Sequence, residues 1–460
     1  MALPADRNAR LAAAVPWLVA IGGFAFDVAA FWPGQMSFDS AYAWWQARGG
    51  DTTNIAPPMF IFVWRLIDAL HEGPALMFAL HLALFWSGLA LLAGALRLGA
   101  WRAAALMMIA AFAPVPWLLR GHVWTDVALF SALLFAAGSL ARAQTTRRRR
   151  WILAALPALI YAAAVRHNAL PAVLPFALWF GAIAMSPAPT RTRVAIAALA
   201  IVAIAAAVTT LVNSEVRRRV PLWPAAAEWD LAAISIDTGE MLLPSFMVGP
   251  GLDVPELAAA YRDWSITPML QNTQHGMRDP FMDPFTPAQL AELRSAWLGA
   301  IRAHPRAWLS HHWRRVVALV GVHDPAWPHE LIYVDAEVSY GDNPPVARNT
   351  STLHAALMRT AAQLATTSWL AGWPYLVVGI VAAPWAFRRR REPAGVVAIV
   401  LLTSAWLYLG PLLVLATAEL RYLGWSCLAS IVAAAIAVLV PRSFRSRPAR
   451  LIASTDRTFR

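Results

Sequence analysis

The chain has 460 residues, 59% hydrophobic and 14% charged, so residues able to do chemistry are few and easily traced. Two short runs pair an arginine with polar neighbours: Arg166-His167-Asn168 and Glu419-Leu420-Arg421-Tyr422. Two more carry a carboxylate beside aromatic or hydroxyl groups: Met36-Ser37-Phe38-Asp39-Ser40-Ala41-Tyr42 and His122-Val123-Trp124-Thr125-Asp126. A guanidinium presents a planar fork that matches phosphate or carboxylate oxygens in pairs, so Arg166 and Arg421 are candidates for gripping an anion. Asp126 has three open roles: holding Arg166, orienting a substrate group or ligating a divalent cation. Ser37 to Ser40 also suits a helix N-cap, the structural alternative for Asp39.

Other chemistries are excluded by what is missing. The sequence contains no lysine, which removes Schiff-base catalysis and the phosphate-binding lysine of a P-loop. A single cysteine, Cys427, sits in an apolar run and rules out an intrachain disulfide or a cysteine-rich metal site. The net charge of +12 is not a nucleic-acid signature. Its arginine runs, Arg147 to Arg150, Arg388 to Arg391 and Arg442 to Arg450, directly flank apolar segments, where they act as topology signals.

The elements that must position these residues are membrane spans. Apolar intervals long enough, or nearly so, fall at 11–31, 74–96, 102–119, 126–141, 151–165, 169–185, 194–212, 369–387, 394–415 and 422–440. The expected fold is an all-α polytopic membrane protein with about ten transmembrane helices, interfacial helices and a periplasmic domain. The first interval follows Arg7 and Arg10 and exceeds a usual signal-peptide core, so it reads as an uncleaved anchor. An even count puts both termini on one side. A cytoplasmic N-terminus gathers every dense basic cluster inside except Arg217 to Arg219, which opens a long segment. The expected location is thus a bacterial inner membrane. The expected division is 1–212 as an N-terminal transmembrane core, 213–368 as a periplasmic domain and 369–460 as C-terminal spans with a basic tail. Segments 38–48 and 305–322 read as helices lying at the interface, with Trp308 and Trp313 at headgroup depth.

On this threading the ionisable residues gather toward the outer face. Asp27 and His81 lie near the outer ends of their spans, Asp126 opens one, Arg166 and His167 cap one, and Glu419 and Arg421 bracket the last outer turn. Charge retained at a membrane is a functional signal by default. A secondary transporter should carry it near the midplane on interrupted helices, so the pattern favours a reaction centre at the outer interface.

These motifs, taken in chain order, resemble the GT-C superfamily of membrane glycosyltransferases, which includes protein O-mannosyltransferases and lipid A aminoarabinose transferases. The resemblance rests on Asp39 just past the first span, Pro57-Pro58 opening a helix, Thr125-Asp126, Arg166-His167-Asn168 and Glu419-x-Arg421-Tyr422. Ala56 stands where that family usually has His or Lys before the proline pair. Trp229-Asp230 to Ser235, and Trp297 to Arg315, look like features of uncharacterised bacterial members.

The resemblance implies transfer of a sugar from a polyprenyl-phosphate donor to a lipid, glycan or protein acceptor. Asp39 would be the general base, with Asp126 beside it in the catalytic set. Arg166, His167, Asn168, His122, Glu419, Arg421 and Tyr422 would bind substrate. Family members differ in metal dependence, so a divalent cation stays open. Two rivals remain: a transporter or flippase for a lipid-linked or polar solute, and a non-catalytic scaffold of envelope assembly. Among the remaining histidines, His311 and His312 are adjacent and leave a helix on different sides, which makes a poor metal pair. His323-Asp324 and His329-Glu330 are alternatives without a recognised ligand spacing.

Overall fold

The computed structural model describes residues 4–187, 189–322, 338–415 and 417–441. His323, Asp324, His329, Glu330 and the basic tail from Arg442 lie outside them. The described residues contain helices and no strand. In chain order they are α1 (Pro4–Phe31), α2 (Phe38–Ala47), α3 (Pro58–Asp68), α4 (Ala75–Ala95), α5 (Ala100–Phe112), α6 (Pro114–Leu119) and α7 (Thr125–Thr146). Then follow α8 (Arg149–Ala164), α9 (Leu170–Ala184), α10 (Arg191–Asn213), α11 (Trp223–Thr238), α12 (Val254–Ala260), α13 (Thr267–Asn272) and α14 (Pro287–Ala303). The chain continues with α15 (Pro305–Val320), α16 (Thr352–Ala365), α17 (Trp373–Arg388), α18 (Pro393–Leu415) and α19 (Gly424–Leu439).

Among the described residues, six stretches are long and apolar enough to cross a membrane: Ala13–Phe31, Ala75–Ala95, Thr125–Thr146, Arg191–Asn213, Pro393–Leu413 and Leu420–Leu439. Several turn large apolar side chains outward, among them Ile196, Leu199, Leu211 and Val438, a surface that suits hydrocarbon rather than water. The interval expected as one helix at 102–119 is instead broken into α5 and α6. Pro114 disfavours helical geometry in the residue before it, and Ala113 takes φ −58° and ψ 131°.

α7 is the central helix, packed by α4, α8, α9 and α19. Its contact with α4 is close because glycines face each other. A Cβ on Gly138 would lie 2.4 Å from the Gly88 carbonyl oxygen, so any larger residue would force the helices apart. α18 and α19 pack on each other and on α17, while α1 lies along α4 and α5.

A second, smaller core forms outside this bundle from α11, α12, α14 and α15, with Trp229, Leu231, Ile234, Leu257 and Leu293 buried in it. Residues 338–365 turn back onto the bundle. His354 of α16 lies 2.9 Å by Nδ1 from the Ala30 carbonyl, and Tyr340 packs edge-on against Phe38 and Tyr42 of α2. The helix expected over 305–322 runs as α15 from Pro305 to Val320 and ends at Gly321, whose φ of +79° is left-handed. The Trp308 indole N–H is not free for a lipid headgroup, because it donates to Asp230 Oδ2 of α11 (2.9 Å), while Trp313 is exposed.

Candidate functional site: an arginine-lined groove

The candidate site, called the groove below for the partly exposed cluster of Asp39, Arg166, Glu419, Arg421 and Tyr422, is assembled by hydrogen bonds that sew loop ends together at one end of the bundle. Gln35 N–H donates to the Gly121 carbonyl (2.9 Å) and Val123 N–H donates to the Gln35 carbonyl (3.1 Å). Ser40 Oγ donates to the Val123 carbonyl (2.7 Å), and Trp124 Nε1 donates to Ser37 Oγ (2.7 Å). Asn54 Nδ2 donates to the Val220 carbonyl (2.9 Å) and Val220 N–H returns a bond to Asn54 Oδ1 (2.6 Å), tying the first loop to the segment after α10. Ala418 N–H donates to the Trp264 carbonyl (2.9 Å), which joins the turn before α19 to the outer layer. The basic residues of the other loops lie at the opposite end. Arg142 reaches the Gly94 carbonyl, Arg147 reaches Ser186, and Arg389 reaches Pro441.

The cap of α2 is Ser37, which shares a reciprocal capping box with Ser40. Asp39 is therefore not the cap. It stands in the first helical turn with its side chain 57% exposed, where the helix dipole favours a carboxylate. From there Oδ2 meets Arg421 Nη1 at 2.6 Å. Arg421 is held by its own short helical turn, Leu420–Leu423: its Nε donates to Glu419 Oε2 at 2.5 Å, and its guanidinium lies 5.1 Å from both the Trp124 and Tyr422 rings.

The other face of the groove is built by Arg166, in the turn between α8 and α9. It is ion-paired to the buried Asp126 of α7, donates from Nε to Asn168 Oδ1 (3.3 Å), and stacks 4.8 Å over Tyr422. Burial alone would make the guanidinium a weaker base. The Asp126 carboxylate reverses that and holds Arg166 above its ordinary value, so it stays charged. Both arginines thus contact one tyrosine ring.

Sequence order gives no hint that residues 166 and 421 share a partner; the packing of α18 and α19 against α7 and α9 decides it. Thr417 Oγ1 donates to Glu419 Oε1 at 3.0 Å and completes the polar rim.

Three carboxylates, Asp39, Asp126 and Glu419, face two guanidiniums. Each is already paired with an arginine, and Asp126 in particular is committed to Arg166. An anion binding to either guanidinium would compete with the carboxylate already paired to it. Asp39 is the exposed one, its side chain 57% exposed against 23% for Glu419 and 2% for Asp126, so it can exchange at the lowest cost in desolvation.

Two expected site residues fall elsewhere. His122 is fully buried, with its ring stacked on Trp124 at 4.0 Å and Nδ1 3.2 Å from the Leu119 carbonyl. It packs behind Trp124, whose ring lies 5.1 Å from the Arg421 guanidinium. His167 turns toward the backbone of Asn54 and Ile55 in the first loop and braces the clasp between loops.

Asp27 and His81 were expected with the outer charges, and neither joins the groove. Asp27 makes a bidentate ion pair with Arg120 (2.7 and 2.9 Å), both side chains wholly buried, and accepts from Trp86 Nε1 at 2.7 Å. His81 Nε2 lies 3.1 Å from the Tyr161 hydroxyl, inside the bundle. Arg120 was invisible as a partner because it lies 93 residues from Asp27 in a segment that reads as a loop.

The clearest miss concerns the adjacent histidines of α15. His311 and His312 converge, each with Nε2 3.2 Å from Asp230 Oδ1. Consecutive helical residues diverge by about 100° at Cα. Imidazoles are long enough to close on a carboxylate placed between them by a neighbouring helix. Comparison with protein-family models, with curated proteins and with solved structures gave no match.

Proposed function

We propose that the chain is a membrane glycosyltransferase of GT-C type that moves a sugar from a polyprenyl-phosphate donor to an envelope acceptor. The observation that carries this reading is the meeting of Arg166 and Arg421 on the Tyr422 ring, next to an exposed carboxylate, Asp39. A lipid-borne phosphate needs cations at the membrane edge and an open side for a water-soluble acceptor. Arginine forks meet the first need and the exposed side of Asp39 the second.

In the proposed step the donor phosphate takes the guanidinium face of Arg421 that Asp39 occupies in the resting protein. Asp39 is freed as it happens. The acceptor oxygen attacks the anomeric carbon, the bond from that carbon to the phosphate oxygen breaks, and its electron pair stays on the phosphate. Asp39 takes the acceptor proton. Arg166 and Arg421 stabilise the charge that grows on the leaving phosphate, in a site where few waters compete.

The same reading places the groove on the periplasmic side of a bacterial inner membrane. Support comes from Arg142, Arg147 and Arg389 at the other end of the bundle, which the positive-inside rule assigns to the cytoplasm together with both termini. It counts the shorter apolar helices α5 and α9 among about ten spans, and the α11–α15 layer as the roof of the groove. A transporter or flippase finds less support, because the buried Asp27–Arg120 pair within the bundle is closed by bonds to Trp86 and the Ala111 carbonyl.

The test is a deletion strain complemented with wild type or Asp39→Asn, with envelope glycans and lipids read by mass spectrometry. Asp39→Asn should insert and fold, since Ser37 caps α2, and should not restore the missing glycan. Restoration by the variant would remove Asp39 from the mechanism.

A further inference from the structure

Asp230 of α11 stands at the centre of a constellation that the groove does not use. Its Oδ2 accepts from Trp297 Nε1 (3.0 Å) and Trp308 Nε1 (2.9 Å), and His312 Nε2 lies 3.4 Å from the same oxygen. Its Oδ1 faces the Nε2 atoms of His311 and His312, each at 3.2 Å, and Arg315 Nη1 at 3.7 Å. The side chains of Asp230 and His311 are 3% and 0% exposed. Neither Asp230 Oδ1 nor His311 Nε2 completes a hydrogen bond with any described residue, although they lie close enough to bond to each other.

The protons explain why. Tyr261 has one hydroxyl proton and donates it to Asp263 Oδ1 at 3.1 Å, a carboxylate also held by Arg314 Nε at 2.8 Å. At His311 Nδ1, 2.7 Å away, the same hydroxyl must therefore accept, and the ring proton sits on Nδ1. Nε2 of His311 is then the ring atom that faces Asp230 Oδ1, 3.2 Å away. An imidazole nitrogen and a carboxylate oxygen buried face to face need either a proton on the ring nitrogen or a metal ion between them.

The spacing suits a metal. The ligand atoms of Asp230, His311 and His312 all lie within 4.8 Å of one another. A tetrahedral zinc site with bonds of about 2.0 Å has edges of roughly 3.3 Å, close to the 3.2 Å separations from Oδ1. The Nδ1–H bond to Tyr261 is the outer contact that fixes a ligating imidazole in its metal-binding tautomer.

From this geometry we infer a binding site for one divalent cation of zinc or cobalt type, held by Asp230, His311 and His312 and oriented through Tyr261. Three protein ligands leave one tetrahedral position for water. The ion would clamp α11 to α15, and α15 packs against the Leu420–Leu423 turn that carries Arg421. The inference does not depend on the activity proposed above. The competing arrangement has no metal: protonated imidazoles of His311 and His312 donate to Asp230 at 3.2 Å, with Arg315 3.7 Å away.

The experiment uses the full chain in detergent, purified through a tag without histidine, stripped with a chelator and titrated with Co2+ under visible absorption. Metal content after reloading with Zn2+ and gel filtration is measured in parallel. Wild type should take up one equivalent with a tetrahedral cobalt spectrum. His311→Ala and His312→Ala should lose it, as should the more conservative His312→Gln with an unchanged gel-filtration profile. Tyr261→Phe should bind about 10–100-fold more weakly with the same stoichiometry. Absence of uptake by wild type, or undiminished uptake by His312→Gln, would overturn the site.

Discussion

Replacing Arg120 with methionine tests whether the sealed charges of the bundle hold up the groove. Arg120 is 1% exposed, spans both oxygens of Asp27 at 2.7 and 2.9 Å, and donates from Nη1 to the Ala111 carbonyl at 2.7 Å. Its guanidinium lies 4.5 Å from the Phe85 ring and 5.2 Å from that of Trp86. Arg120→Met keeps the volume and the apolar contacts but strands the Asp27 carboxylate with one remaining donor, Trp86. Breaking one half of a buried ion pair costs about 3–5 kcal/mol. A midpoint near 4 kcal/mol is roughly a thousandfold in the folded-to-unfolded ratio. Asp27→Asn leaves the guanidinium unpaired and should cost a similar amount. The double variant removes both charges, so it should lose about 2–3 kcal/mol less than the sum of the singles. Equilibrium unfolding in mixed detergent micelles, followed by tryptophan fluorescence, gives all four corners of the cycle. Arg120 immediately precedes the Gly121–Trp124 strip that binds Gln35, Ser37 and Ser40, so the single variants should also lower activity through Asp39. Single losses that add within about 0.5 kcal/mol would refute the pairing argument.

At the groove, Arg421→Gln should reduce turnover about 10²–10³-fold, the range for removing one fixed stabiliser of developing charge. Arg421→Lys should fall between that and wild type, because charge survives while the fork and the Trp124 contact are lost; equal activities of Lys and Gln variants in a transfer assay would argue against phosphate gripping. Glu228 of α11 is wholly buried, and neither of its carboxylate oxygens has a hydrogen-bond partner among the described residues. Burial, reinforced by Asp279, raises its proton affinity well above the ordinary carboxylate range. A raised folded value means its stabilising effect is complete below the unfolded value of 4.5 and fades as pH rises through the folded one. Glu228→Gln should therefore match wild type near pH 4 and become the more stable by about 1.4 kcal/mol per pH unit above 4.5, until Glu228 ionises in the fold. Melting curves of the two proteins across pH give the comparison, and parallel curves would show that Glu228 is already ionised.

Composition and hydropathy were enough to read an all-helical membrane chain, because burying apolar helices in lipid is a one-dimensional requirement set by length. The runs around Asp39, Asp126, Arg166 and Arg421 were equally legible, since an ionisable group in such a chain is rare and costly. The sequence could also place Ser37 and Ser40 at a helix start, though not decide which of Ser37 and Asp39 would be the cap. Partnership was beyond it. Arg421 with Asp39, Arg166 with Asp126 and Arg120 with Asp27 join residues 382, 40 and 93 positions apart, and such pairs follow only from which helices touch. Helix contacts depend in turn on small-residue faces such as Gly88 against Gly138, a matter of shape rather than hydropathy. His311 and His312 make the same point at short range: spacing along the helix sends them apart, and Asp230, carried in on α11, draws them together.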